Sequence, residues 1–361
     1  MVSVTSETVP VQRRGLAGVF DLLPGIALLF AIGYAGKLVE HAILDYGRAN
    51  HIAVPDIEYV LWAILIGLAI SNTVGVPRIF RAGVATYEFW LKLGIVLLGV
   101  RYLLADVVKL GGVSLVAVAV ELTLSIVLMT ILGKAFRLKP KLISLLAIGS
   151  SICGVSAIIA AKGAIDAEDD DVAYAMAAVL ALGAIGLFAF PLIGHALAMT
   201  DHAYGLWAGL GIDNTAEATA AGALWSDEAG RVAVLAKTTR NATIGFVVLG
   251  YAIYWARQGQ AQQVGNKVAF LWEKFPKFVL GFIAVSVLAS LGTFTKAQTA
   301  DLAALSRWAF LLTFAGVGLM TDVRQLRQQG LRPFVVGALG EIGIALVTLV
   351  IVLAAQPWLP V

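Results

Sequence analysis

Lys92, Glu121, Lys162, Asp213, Glu217, Lys237, Arg240 and Glu341 are ionisable residues set within long apolar runs of this chain. A charge at mid-membrane depth costs about 3 kcal/mol on insertion scales, so such residues are expected to face a polar interior and to do work there. Lys237 and Arg240 are three apart and share a helix face. Opposite the carboxylates Asp213 and Glu217, a guanidinium at Arg240 can hold an oxyanion bidentately. The carboxylates, with Glu121 and Glu341 in their own apolar helices, can carry a coupling proton or Na⁺. Blander readings stand beside these. Lys237 and Arg240 also suit a membrane-edge cluster, each Glu a structural ion pair, and Lys92 and Lys162 a snorkelling position near a helix end.

Two segments around these residues are unlike plain membrane helices. The first reads Gly149-Ser150-Ser151-Ile152-Cys153-Gly154-Val155-Ser156, a Gly/Ser cluster that predicts an interrupted helix. Unwound backbone at that depth is tolerated only when packed in protein or lining a wet cavity. The N–H groups opening the second half-helix form a positive end suited to an anion. Ser150, Ser151, Cys153, Gly154 and Ser156 are therefore substrate-binding candidates, with close packing through small residues as the alternative. The second segment places Asp213, Asn214 and Thr215, all good N-cap types, before an Ala-rich stretch. Asn214, Thr215, Lys237 and Arg240 join the substrate set; Asp213, Glu217, Glu121 and Glu341 form the ion-coupling set. The alternative for the second segment is a polar turn between two ordinary helices. A third stretch, Phe314-Ala-Gly316-Val-Gly318 to Asp322, is either another break or a fraying helix end.

No zinc spacing, phosphate-binding loop or nucleophile elbow occurs, and the histidines are scattered near loops. Catalysis and ATP-driven transport thus lack supporting residues, and no cofactor beyond coupling H⁺ or Na⁺ is implied. No basic run with interleaved aromatics suggests nucleic acid. The single cysteine, Cys153, excludes an intrachain disulfide.

The elements that must position these residues are membrane helices. The chain is 60% hydrophobic and 14% charged, against about 25% charged for soluble domains. Apolar stretches recur at 18–39, 58–74, 86–100, 112–133, 142–165, 172–199, 203–224, 232–255, 277–292, 304–321 and 333–356. Stretches of about 20 residues cross the hydrocarbon as helices, so the prediction is an all-α polytopic membrane protein with about eleven spans. Residues 1–17 form a cytoplasmic tail and 18–361 a single transmembrane domain. The apolar segment after Arg13 and Arg14 lacks a small-residue cleavage site and is read as a retained first helix. Lys and Arg concentrate in the tail and near 78–81, 134–141, 257–277 and 324–332, and are fewer near 37–48, 101–109, 231 and 296. That bias predicts a cytoplasmic N-terminus and an outside C-terminus. It also puts the acidic run Asp166–Asp171 outside.

Leu93–Arg101 (LGIVLLGVR), Ser151–Ala157 (SICGVSA), Glu168–Tyr174 (EDDDVAY), Ala236–Arg240 (AKTTR) and Leu305–Trp308 (LSRW) carry a family resemblance. In this order, over roughly residues 60 to 340, the chain resembles the YeiH-like conserved inner-membrane proteins, a bacterial family labelled sulfate exporters. The resemblance implies a fold related to cation–proton antiporters and bile-acid-type transporters, with two inverted five-helix repeats and broken crossing helices. The repeats would span about 58–199 and 203–356, leaving one extra helix and crossing segment five near segment ten. Where many relatives look like His-Glu or His-Asp followed by Gln, this chain has Asp213, Asn214 and Glu217, a more acidic site. The expected function is an ion-coupled secondary transporter, an exporter of sulfate, sulfite or an organosulfonate, in the bacterial inner membrane. The expected partners are the small anion and the bilayer, with a homodimer allowed for. A Na⁺/H⁺-type antiporter and a non-transporting scaffold or sensor are the alternatives.

Overall fold

The computed structural model describes residues 20–50, 59–102, 104–321 and 331–355. Arg13, Arg14, Asp322, Arg324 and Arg327 lie outside them. The described residues are helical throughout, without a strand: α1 (Leu23–Asn50), α2 (Tyr59–Thr73), α3 (Arg78–Val84), α4 (Tyr87–Leu98) and α5 (Leu104–Ala135). Then come α6 (Pro140–Ser151), α7 (Val155–Ile165), α8 (Asp169–Ala196), α9 (Asp201–Gly211), α10 (Thr215–Trp225) and α11 (Asp227–Asn241). The chain continues with α12 (Ile244–Arg257), α13 (Lys267–Lys274), α14 (Phe278–Ser290), α15 (Lys296–Met320) and α16 (Leu331–Ala355). Local chemistry sets many of these starts. Pro140 opens α6 at its first turn, and Thr200, Asn214 and Ser226 each cap α9, α10 and α11 with a side-chain oxygen. Thr295 and Gln298 close a capping box on α15.

Among the described residues, seven stretches are long and apolar enough to cross a membrane, and α2 and α14 are shorter apolar helices. Exposed Leu124 and Ile131 on α5, and Ile342, Leu346 and Val350 on α16, give these helices the outward apolar faces that lipid requires.

Segments five and seven are interrupted, as their residues predict, but neither crosses. Lys141 Nζ, at the start of α6, donates to the carbonyl of Asp166 just past α7, at 2.5 Å. Lys139 Nζ lies 2.9 Å from Glu168 and 3.4 Å from Asp171. Both ends of α6–α7 are therefore on one face. Likewise Trp225 Nε1, at the end of α10, donates to Asp201 at the start of α9 at 2.8 Å, and the Tyr204 and Trp225 rings stack at 4.1 Å. α6–α7 and α9–α10 are two re-entrant hairpins. They enter from opposite faces, because the full-length helix α8 separates them. Among the described residues, two hairpins stand where two of the eleven crossings were predicted.

The change moves one loop that matters. Because two crossings are lost, the described segments after the second hairpin keep the sides they would have had, relative to those before the first, with eleven crossings. The acidic run Asp166–Asp171 instead joins Lys139 and Lys141 on the basic face. Segment ten is also not a break: α15 is continuous through Gly316 and Gly318. A Cβ on Gly318 would lie 2.3 Å from the Ile64 carbonyl oxygen, so these glycines serve close helix packing. The interruption facing segment five is thus in segment seven, not segment ten.

Two bodies result. α1, α2, α3–α4, α14 and α15 pack together, while α5, α8, α11–α12 and α16 pack around the hairpins.

Candidate functional site at the hairpin tips

The two tips meet at mid-depth. α6 has 12 residues, about 18 Å of helix, roughly half of a 30 Å core. Its tip runs through Ile152 and Cys153 to Gly154, whose φ of 68° and ψ of −119° suit glycine alone. A Cβ on Gly154 would stand 3.8 Å from Asn214 Cα, so the tips touch. The other tip has Ile212 and Asn214 in extended backbone and is closed by Asn214 Oδ1 accepting from Ala216 N at 2.8 Å.

Each hairpin contributes one negative and one positive helix end. The C-terminal ends of α6 and α9 leave carbonyls without intrahelical donors. Arg240, fully buried on α11, supplies them. Its Nε donates to Ser151 O at 2.7 Å, its Nη1 to Leu210 O at 2.6 Å, and its Nη2 to Ser150 O. Lys237, one turn earlier, donates to Ile212 O at 2.6 Å. The guanidinium therefore ties the two tips together and is not an open fork for an oxyanion. Neither cation lines the cavity described below, so here the structure differs from the sequence expectation. The carbonyls of Ser150 and Ser151 thus accept from Arg240, Ser151 Oγ turns back to Ala147 O at 2.6 Å, and the Ser150 hydroxyl faces the Asp213 carboxylate.

The carboxylates gather behind the tips. Arg240 Nη2 is 3.4 Å from Glu121 and 3.6 Å from Asp213, all three fully buried. Asp213 in turn meets the carboxyl of Glu341 from α16. Glu217 packs its carboxylate against Gly183 of α8, where a Cβ would sit 1.8 Å from Oε2. Both carboxylate oxygens of Glu121, and Glu217 Oε2 and Glu341 Oε1, lack a hydrogen-bond donor among the described residues. Buried acceptors without donors are costly and mark places where a proton or cation can enter. No three His, Cys, Asp or Glu side chains converge as a metal-holding group among the described residues.

The positive ends, α7 and α10, open forward into one cavity of about 340 Å³. Cys153, Ser156, Asn214 and Thr215, all among the candidates named from the sequence, line it together with Val155 and Ala216. Asn241, which the sequence reading missed, also lines it and donates to Thr215 Oγ1 at 3.1 Å. Its position immediately after Arg240 was the available signal. Lys92, Lys274 and Lys277 also contribute to the lining, with Glu88 the one acidic residue beside them. Each lysine already has a neighbour: Lys92 lies 3.3 Å from Glu88, Lys274 3.1 Å from Glu273, and Lys277 donates to the Phe275 carbonyl at 3.0 Å. They shape the field more than they offer free donors. Lys162 pairs with Asp169 and plays no part here.

Residues 24–337 match the family described as Conserved hypothetical protein 698. A UPF0324 membrane protein of Nitratidesulfovibrio vulgaris is 39% identical over 342 residues, covering 93% of this chain and 94% of the relative. The chain belongs to this family. Among other UPF0324 membrane proteins, one from Streptococcus agalactiae is 30% identical over 94% of this chain and 99% of its own length. One from Rhodopirellula baltica is 34% identical over 91% of this chain and 62% of its own. No solved structure matches the chain. The relatives' names state only that they are membrane proteins.

Proposed function

We propose that the protein is an ion-coupled secondary transporter of a small anion in the bacterial inner membrane, with the basic face cytoplasmic. The single observation that carries this reading is the meeting of two re-entrant tips whose positive helix ends open into one 340 Å³ cavity. Helix N-termini bind anions through unpaired N–H groups and the aligned dipole. Broken elements meeting near the membrane midplane are where transporters hold substrate and coupling ion. Sulfate, sulfite or an organosulfonate, carried outward, fits a cavity that offers backbone N–H groups, hydroxyls and amides. The buried cluster supports ion coupling: the four carboxylates Glu121, Asp213, Glu217 and Glu341 outnumber the two cations Lys237 and Arg240. Two negative charges remain when all are ionised, and hydrocarbon does not hold them unneutralised. Protons or Na⁺ arriving there would link the charge state of the tips to occupancy of the cavity. No catalytic step is part of this reading.

The full chain, reconstituted in liposomes, is to be assayed for sulfate and sulfite flux under imposed pH and Na⁺ gradients. Gradient-dependent flux of either anion is expected; no flux of any small anion under either gradient ends the proposal. The donor-less carboxylate oxygens favour a second reading, cation–proton antiport without anion transport. Asp213→Asn separates the two. Under antiport it abolishes pH-dependent cation exchange; under anion transport it leaves anion flux but uncouples it from the gradient.

A further inference from the structure

A second cavity, of about 680 Å³, opens between α5, the start of α6 and α12, away from the hairpin tips. Ile126, Ile143 and Val247 and the rings of Tyr251 and Trp255 line it, and Lys134 and Arg137 stand beside them. Both basic residues are exposed, and neither side chain has an ion-pair partner among the described residues. From Ile126 to Lys134, α5 advances about 12 Å, close to the depth of one leaflet. The flanks are apolar and exposed: Leu124 and Ile131 on α5, Phe246 and Tyr254 on α12. Arg137 sits just past α5 with φ of 55°, a left-handed position where glycine is the ordinary choice. An arginine held there against its backbone preference sets a charge at the edge of an apolar channel.

We propose that this groove binds an anionic phospholipid, with the phosphate between Lys134 and Arg137 and an acyl chain along α5 toward Ile126. A small free anion has no use for a deep apolar lining, whereas a lipid needs both parts. Basic pockets between membrane helices hold acidic headgroups by this combination. The inference does not depend on the transport reading.

The full chain, purified in neutral detergent, is to be titrated separately with phosphatidylglycerol and phosphatidylcholine and read by intact-complex mass spectrometry. One phosphatidylglycerol is expected to bind in preference to phosphatidylcholine. The double variant Lys134→Ala, Arg137→Ala should weaken phosphatidylglycerol about 30-fold and leave phosphatidylcholine unchanged. Gly250 lines the groove, and a Cβ there meets open space. Gly250→Leu keeps the charges, improves helix propensity and fills the channel, so it should remove both lipids. Arg137→Gly should weaken phosphatidylglycerol about 5-fold with an unchanged or higher melting temperature. Equal binding of the two lipids, or an unaltered affinity in the double variant, overturns the proposal. So does displacement of bound phosphatidylglycerol by millimolar glycerol 1-phosphate, which would mean a headgroup site without a chain. A fall in melting temperature for Arg137→Gly that accounts for its weaker binding also overturns it.

Discussion

The two hairpins perform the same geometric task with different chemistry. The α6–α7 tip turns on a glycine in a conformation other residues avoid and brings no charged residue to the bend. The α9–α10 tip turns in extended backbone, closes with an asparagine cap, and carries Asp213 with Glu217 one turn on. One tip is shaped by steric permission, the other by hydrogen bonding and charge. They depend on one shared element, since Arg240 binds carbonyls of both while Lys237 serves only the second. On the proposed reading, the first tip is a passive wall of the anion cavity and the second is where the coupling ion acts.

The largest effect should come from the shared strut. Arg240→Ala leaves the carbonyls of Ser150, Ser151 and Leu210 without their donor and removes the guanidinium beside Glu121 and Asp213. Breaking a buried pair in this way costs about 3–5 kcal/mol, so the variant should lose most of its folded yield in fluorescence-detected size exclusion. Lys237→Met, which frees only the Ile212 carbonyl, should cost about 1–3 kcal/mol. A well-folded Arg240→Ala protein that merely fails to bind anion would return Arg240 to the substrate site and dissolve the comparison.

The tips themselves come next. Gly154→Ala is strained by its positive φ, and its Cβ would stand 2.7 Å from Val179 Cγ1. A cost of about 1–3 kcal/mol follows, measurable as a lowered melting temperature. Asn214→Ala loses only a cap, about 1 kcal/mol. Should Asn214→Ala prove the more damaging to stability, the division into a steric tip and a hydrogen-bonded tip is wrong.

Much of this arrangement was legible in the residues. Ser150–Ser156 marked one interruption, Asp213–Thr215 the other, and Glu121, Glu217 and Glu341 did converge on the centre. What could not be read was whether a segment crosses or returns. Residues 140–165 are long enough for a single crossing or for two half-depth helices, and hydrophobicity is the same in both cases. The distinguishing signal was charge complementarity at the roots, Lys139 and Lys141 against Asp166–Asp171, which only the folded chain brings together. The role of Arg240 is set less by its charge than by the helix ends beside it. Two half-helices that stop in hydrocarbon at Ser151 and Gly211 leave carbonyls that require donors, and the nearest buried cations had to meet that need first.

The smallest effects should appear at the hairpin roots, where the contrast takes another form. The α9–α10 root is aromatic: Trp225 stacks on Tyr204 and donates to Asp201. Trp225→Phe keeps a ring for the stack and loses that bond, at about 1 kcal/mol. The α6–α7 root is ionic and exposed, where screening leaves little stability. Hydrogen bonding to Lys139 holds the Glu168 carboxyl below its ordinary range, and the same bond lifts Lys139 above its own. A lowered carboxyl pKa stabilises above its unfolded value and stops doing so as pH falls through the folded one; the raised lysine loses its share only as pH rises through its elevated value. Lys139→Ala should therefore give a small, salt-sensitive fall in melting temperature, constant across neutral pH and vanishing in strong acid. Thermal melts at several pH values test this. A Lys139→Ala effect that exceeds that of Trp225→Phe, or that persists once Glu168 is protonated, would mean the ionic root holds the first hairpin in place as firmly as aromatic packing holds the second.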